Sequence, residues 1–167
     1  NNNISLAWIF NTGETENLAA YYPEEATVIL QDGFAYVSST SDDMDVAVKQ
    51  IFDANFALIR ELTAGRTDVR IGIGETGIAF SDGGSENQAQ YLKAVMQYAR
   101  DNGLEIVSIF DANKEGQGVG QKDFRLTSEN ISALLPETSE EEQEETPEDI
   151  SVTLYNFTIK AATADDN

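Results

Sequence analysis

Apolar residues along the chain fall into two rhythms. Short runs rich in β-branched and aromatic residues occupy positions 4–10 (ISLAWIF), 26–30 (ATVIL), 34–37 (FAYV), 69–73 (VRIGI) and 104–110 (LEIVSIF). Each has the length and composition of a buried strand. Gln31-Asp32-Gly33 reads as a turn between the second and third runs. Trp8 lies inside the first run and reads as core. The second rhythm is helical. Val46, Val48, Ile51, Phe52, Phe56, Ile59 and Leu62 follow helical spacing, opened by Ser41 and Asp42 and closed at Ala64-Gly65. Tyr91, Leu92, Val95, Met96, Tyr98 and Ala99 predict another helix from about residue 86 to 101, ended by Asn102-Gly103.

Helix, strand, helix, strand, joined by short connections, is the signature of parallel β/α units. The pattern stops after Leu135. Residues 136–149 are dense in carboxylates and carry no large apolar side chain, as a solvated linker does. Residues 151–161 (SVTLYNFTIKA) then alternate like one more strand. The expected organisation is an α/β domain over 1–135, an acidic linker over 136–149, and a strand with a polar tail over 150–167. A strand on a tether must pair with something, either this sheet or a neighbouring copy. Exchange of that kind, head to tail, builds homo-oligomers or filaments.

Charge narrows the partners. Thirty acidic and ten basic residues give a net charge of −20, which repels nucleic acid and anionic membranes. No apolar run is long enough for membrane insertion. Neutral glycans, cationic proteins and the chain itself remain. The absence of cysteine and histidine excludes thiolate nucleophiles, Ser-His-Asp machinery and Cys- or His-ligated metals, so no cofactor or metal is expected. Carboxylates are left to do any chemistry. Asn3, Asn130 and Asn156 each head an Asn-x-Ser/Thr sequon. With the missing thiols and a start at Asn1 that fits a processed segment, they point to a secreted, extracellular glycoprotein. The competing expectation is an acid-rich protein of a salty environment.

Candidate chemistry centres on Val69-Arg-Ile-Gly-Ile-Gly-Glu75-Thr76-Gly77, which sets a carboxylate at the carboxyl end of a strand. In β/α barrels the loops at that end converge on a shared cleft. Ser85-Glu-Asn87-Gln88 opens the next helix, and Phe110-Asp111-Ala-Asn-Lys114 ends the next strand. In this order, the motifs between Asp68 and Leu126 resemble the last part of a glycoside hydrolase family 17 (β-1,3-glucanase-like) barrel. The resemblance implies a partial or derived (β/α) barrel-like domain, since a closed barrel takes about 250 residues. It places Glu75 on the family's nucleophile and makes Asp111 and Lys114 substrate-binding. Retaining hydrolysis needs a second carboxyl about 5–5.5 Å away as acid. The family supplies it from an Asn-Glu pair, which does not occur before Glu75; Glu14 is the one substitute. Ile78-Ala79 stands where the family has Trp-Pro, and Ser108 or Ile109 where it has an acidic residue.

Two functions follow as expectations. The favoured one is a non-catalytic structural or assembly module of a secreted glycoprotein, derived from this fold and contacting itself or a glycan. The alternative is a retaining β-1,3-glucan hydrolase or transglycosylase, or a fragment of one, with Glu75 as nucleophile. Asp111-Ala-Asn113-Lys-Glu115-Gly116 mimics the start of a calcium loop but has Lys122 where the bidentate Glu belongs. The clusters Asp42-Asp43-Asp45 and 140–145 read as solvated charge.

Overall fold

Strands β1 (Ala7–Asn11), β2 (Val28–Ala35), β3 (Arg70–Ile78) and β4 (Ile106–Ile109) form one all-parallel sheet in the order β1-β2-β3-β4. Helices α1 (Leu18–Tyr21), α2 (Met44–Leu62) and α3 (Gly84–Asp101) make the crossovers, and α4 (Ser128–Ser132) follows the last strand. The structure, a computed structural model, describes residues 5–11, 17–36, 43–116 and 122–132. They belong to a unit that ends at Pro136. Glu14, Asn3, Asn156, the expected linker at 136–149 and the expected strand at 151–161 lie outside the described residues.

The strand order explains where the helices sit. Each crossover steps to the next strand in one direction, and right-handed crossovers then lay every helix on the same face. This is the winding of a β/α barrel, not of a doubly wound sheet, whose order reverses. Accordingly α2 and α3 pack together: the ring of Phe52 lies 5.8 Å from Phe56 and 5.9 Å from Tyr98. Val48, Phe56, Ile59, Tyr91 and Val95 close on Ile29, Ile73 and Ile78 of the sheet to form the core. Each such side chain contributes about 1.5–3 kcal/mol on burial. The expected α/β class is present, as a four-stranded parallel sheet consistent with part of a barrel. Among the described residues, β1 and β4 each pair on one side only.

Several local expectations need correcting. Gln31-Asp32-Gly33 is not a turn; β2 runs through it, paired to β3 residue by residue. Buried Gln31 donates Nε2 to the Ile51 carbonyl of α2 at 2.9 Å, so tertiary pairing overrides local turn preference. Strand β3 continues past Ile73 to Ile78, which moves Glu75 from the expected loop into the strand's carboxyl half. Helix α2 starts at Met44, capped by Asp43, whose carboxylate accepts from the N–H groups of Asp45 and Val46. Met44 and Ala47 turn inward while Val46 is exposed. Trp8 sits at the margin of the core, its ring 5.0 Å from Phe10 and 5.8 Å from Tyr22. Helix α4 had no apolar repeat to announce it.

Gly72 pairs with Ile106 of β4; a Cβ there would collide with the Ile106 carbonyl and side chain. Gly72→Ala is expected to destabilise the domain by about 1–3 kcal/mol, the usual cost of overpacking, in urea unfolding followed by circular dichroism.

Candidate functional site

The position of Glu75 follows from one irregularity in β3. Gln31 pairs with Ile73, but the next partner of Asp32 is Glu75, so Gly74 is an extra residue on β3. In a regular strand, faces alternate, and Glu75 would share the helix-covered face with Ile73. The bulge resets the alternation. Ile73 stays in the core, and Thr76 returns to the helix side, its Oγ1 2.7 Å from the buried hydroxyl of Tyr91 on α3. Glu75 is thereby turned to the open face, where it is exposed. A side chain at 74 would crowd this arrangement: its Cβ would stand 2.5 Å from Asp32 Oδ1 and 3.2 Å from Ile9, so those side chains would have to shift.

A cleft of about 360 Å³ is lined by Glu75, Phe34, Tyr36, Phe110, Lys114 and Phe124. Phe34, Phe110 and Phe124 stack edge to face with centroids 5.4–5.6 Å apart. Lys114 holds its ammonium 5.7 Å from the Phe110 ring centre. Gly77 makes room for the cluster, since a Cβ there would press on Phe124 at 3.3 Å.

The segment after β4 folds back to complete this cleft. Asn113 bridges Asp123 in antiparallel sense, Phe124 N–H donates to the Ala112 carbonyl, and Phe80 N–H donates to the Asp123 carbonyl at 2.7 Å. Lys122 reaches Asp82 at 2.6 Å, a half-buried pair, and lies 5.3 Å from the Tyr36 ring centre. Beyond it, Asn130 of α4 is fully buried. Its Nδ2 donates to Gln88 Oε1 at 2.6 Å, Ser85 donates to its Oδ1, and Gln88 Nε2 donates to the Ile78 carbonyl. The Ser85-Glu-Asn87-Gln88 motif thus tethers the folded-back segment, and Asn87 Nδ2 donates to the Asp82 carbonyl of the preceding loop.

Asp32 is the cross-strand partner of Glu75. Burial, then the Glu75 charge, pushes its carboxyl above the usual carboxylate range, partly offset by the nearby Glu75 backbone N–H. It does not line the cleft.

The expected site residues separate accordingly. Glu75 and Lys114 meet in the cleft; Glu14 lies outside the described residues. Asp111 does not line the cleft: its Oδ1 accepts the Leu126 N–H at 3.0 Å and anchors the returning segment. Asn113 Oδ1 likewise accepts the Glu115 N–H, and no group of three metal-ligating side chains occurs among the described residues. Asn130 fits poorly as a glycan acceptor, because its amide nitrogen is spent inside the core. Among the described residues the Glu75 carboxylate makes no hydrogen bond or ion pair, so it is not a strand-end polar group spent on backbone. Asp32, Phe34, Tyr36 and Phe124 were missed by sequence reasoning. Glycines at 72, 74 and 77 inside an apolar run are the signal that marks a bulge. No protein-family model matches this chain, and no curated protein does.

Two outcomes are expected. Expressed in a glycosylating host, the chain should carry no glycan on Asn130, read by peptide mass spectrometry. Asp32→Asn should change the pH dependence of stability. The folded-state pKa of Asp32 is raised, so its ionisation opposes folding as pH rises from the ordinary Asp value through the folded one. Thermal melts of the variant should match the parent below that window and lie higher above it.

Proposed function

We propose that this chain is a non-catalytic, glycan-contacting module on a glycoside hydrolase family 17-like framework, belonging to a secreted glycoprotein. The observation that carries this reading is the make-up of the cleft: one free carboxylate and one ammonium set among aromatic rings. Aromatic faces match the apolar faces of sugar rings, and the charged groups hydrogen-bond hydroxyls without needing a charged ligand. A net charge of −20 favours a neutral polymer over an acidic one. Hydrolysis asks for more. Two carboxyls must flank the scissile bond, and Glu75 is the one carboxylate among the described cleft residues.

A specific observation favours the second reading, a retaining β-1,3-glucan hydrolase or transglycosylase. Glu75 is aimed by a bulge at the carboxyl half of a parallel strand, with its carboxylate unspent, which is how a nucleophile is presented. The assembly component of the proposal, homo-oligomers or filaments through the terminal strands, rests on residues 151–161, outside the described residues.

Calorimetric titration with laminarin-type oligosaccharides separates the readings. Binding is expected with a Kd of about 1 mM, near −4 kcal/mol. Glu75→Gln should weaken it about tenfold, the loss of a charge-assisted hydrogen bond. No reducing sugar should be released. Release that Glu75→Gln abolishes would establish the hydrolase instead. Deleting 150–167 should remove any concentration-dependent assembly seen by sedimentation velocity.

A further inference from the structure

The rings of the cleft form a corner, not a flat platform. Phe34, Phe110 and Phe124 meet at interplanar angles of 66–87°, with centroids 5.4–5.6 Å apart. Tyr36, exposed, adds a fourth ring to the lining. A sugar stacks on one open face, whereas faces set near right angles surround something small and compact. The molecule itself shows what such faces hold. Lys114 rests its ammonium 5.7 Å from the Phe110 ring centre, and Lys122 rests its own 5.3 Å from the centre of Tyr36. Lys122 has a second reason to be there, its bond to Asp82 at 2.6 Å. Lys114 has none: among the described residues its ammonium makes no hydrogen bond or ion pair. Glu75 shares that lining, and its carboxylate is equally unspent. Two opposite charges thus face one cleft without pairing.

We propose that the cleft recognises a glycan bearing protonated amino groups, one ammonium lodging among its aromatic rings with Glu75 as counter-ion. The inference deepens the glycan-contact reading, and rests on it, by naming the class of sugar. An ammonium donates hydrogen bonds to a carboxylate and presents its charge to ring faces, so it uses both parts of the lining at once. A neutral sugar uses the carboxylate only through hydroxyls. Lys114 is then an internal stand-in: its ammonium holds a ring face that the ligand's ammonium takes over, and it yields on binding. The field of the whole chain agrees, since a net charge of −20 draws a polycation towards it. A cationic peptide would feel the same field. Its lysines, however, carry their charge on flexible stems that lose rotamer freedom on docking. A sugar amine is fixed to a rigid ring whose apolar face can cover a neighbouring phenyl ring.

The test is calorimetric titration of the full chain with three oligosaccharides of equal length, at a pH that protonates the amines. One is a β-1,4-linked glucosamine oligomer, one its N-acetylated form, and one a neutral β-1,3-gluco-oligosaccharide. The glucosamine oligomer should bind about tenfold tighter than either neutral sugar. Glu75→Gln should erase that preference. It removes a single charge from a net −20, so unspecific attraction to the acidic surface survives it. Lys114→Met should tighten binding of the glucosamine oligomer about threefold, by removing a competing cation, and should not tighten binding of the neutral sugars. Equal affinity for amine-bearing and neutral sugars would overturn the inference and leave the glycan reading standing. A preference that persists in Glu75→Gln would overturn it too, because bulk charge then accounts for it. Tetralysine binding as tightly as the amine-bearing sugar, with the same dependence on Glu75, would put a cationic peptide in its place. If no oligosaccharide binds, the glycan reading falls and the inference with it.

Discussion

One extra residue in a strand decides which way Glu75 faces. Side chains on β3 are committed to two faces by the pleat, and the helix-covered face is dry and closed by Phe52, Phe56, Tyr91 and Tyr98. A carboxylate directed there would face a large desolvation cost. The Gly74 bulge lets Ile73 and Thr76 both serve the core while Glu75 between them faces out. Glycine suits this position because a Cβ there would press on the side chains of Asp32, Leu30 and Ile9. Sheet pairing, core packing and the exposed carboxylate are therefore one arrangement, not three.

Around that strand the domain divides its labour. The helix layer makes a stiff back, with α2 and α3 packed on each other and the Thr76–Tyr91 bond linking sheet to helix. The other wall of the cleft is made by chain that returns after β4, held by Lys122 on Asp82, Asp111 on the Leu126 N–H, and the buried Asn130–Gln88 pair. Phe124 is carried into the aromatic cluster by that return. At the amino end of the sheet, Arg66 does comparable work, donating to the Tyr22 hydroxyl and the Glu24 carbonyl.

Much of the fold was legible in the sequence because it rests on periodicity. Helical spacing located α2 and α3, and apolar runs located the four strands, since burial demands the same patterns that define the elements. Glu75 and Lys114, both singled out from the motifs, line the same cleft. What escaped is what tertiary pairing decides. Gln31-Asp32-Gly33 carries turn residues, yet β3 offers it a full set of partners, so it became strand and brought Asp32 beside Glu75. Asn130, expected as a glycan acceptor, has its amide donated to Gln88, far away in sequence. Asp111, expected to bind substrate, gives one carboxylate oxygen to a backbone N–H of the returning chain. In each case the contact comes from a partner that local sequence does not reveal.

The proposal that Glu75 stands in a sugar-binding cleft is tested most directly by its own carboxyl carbon. Observed by ¹³C NMR in the intact chain, the Glu75 side-chain resonance is expected to move progressively and saturate as a β-1,3-gluco-oligosaccharide is added, with the exposed Glu61 and Glu105 carboxyls unmoved. A Glu75 resonance that stays still while the sugar binds elsewhere, or while nothing binds, would refute it.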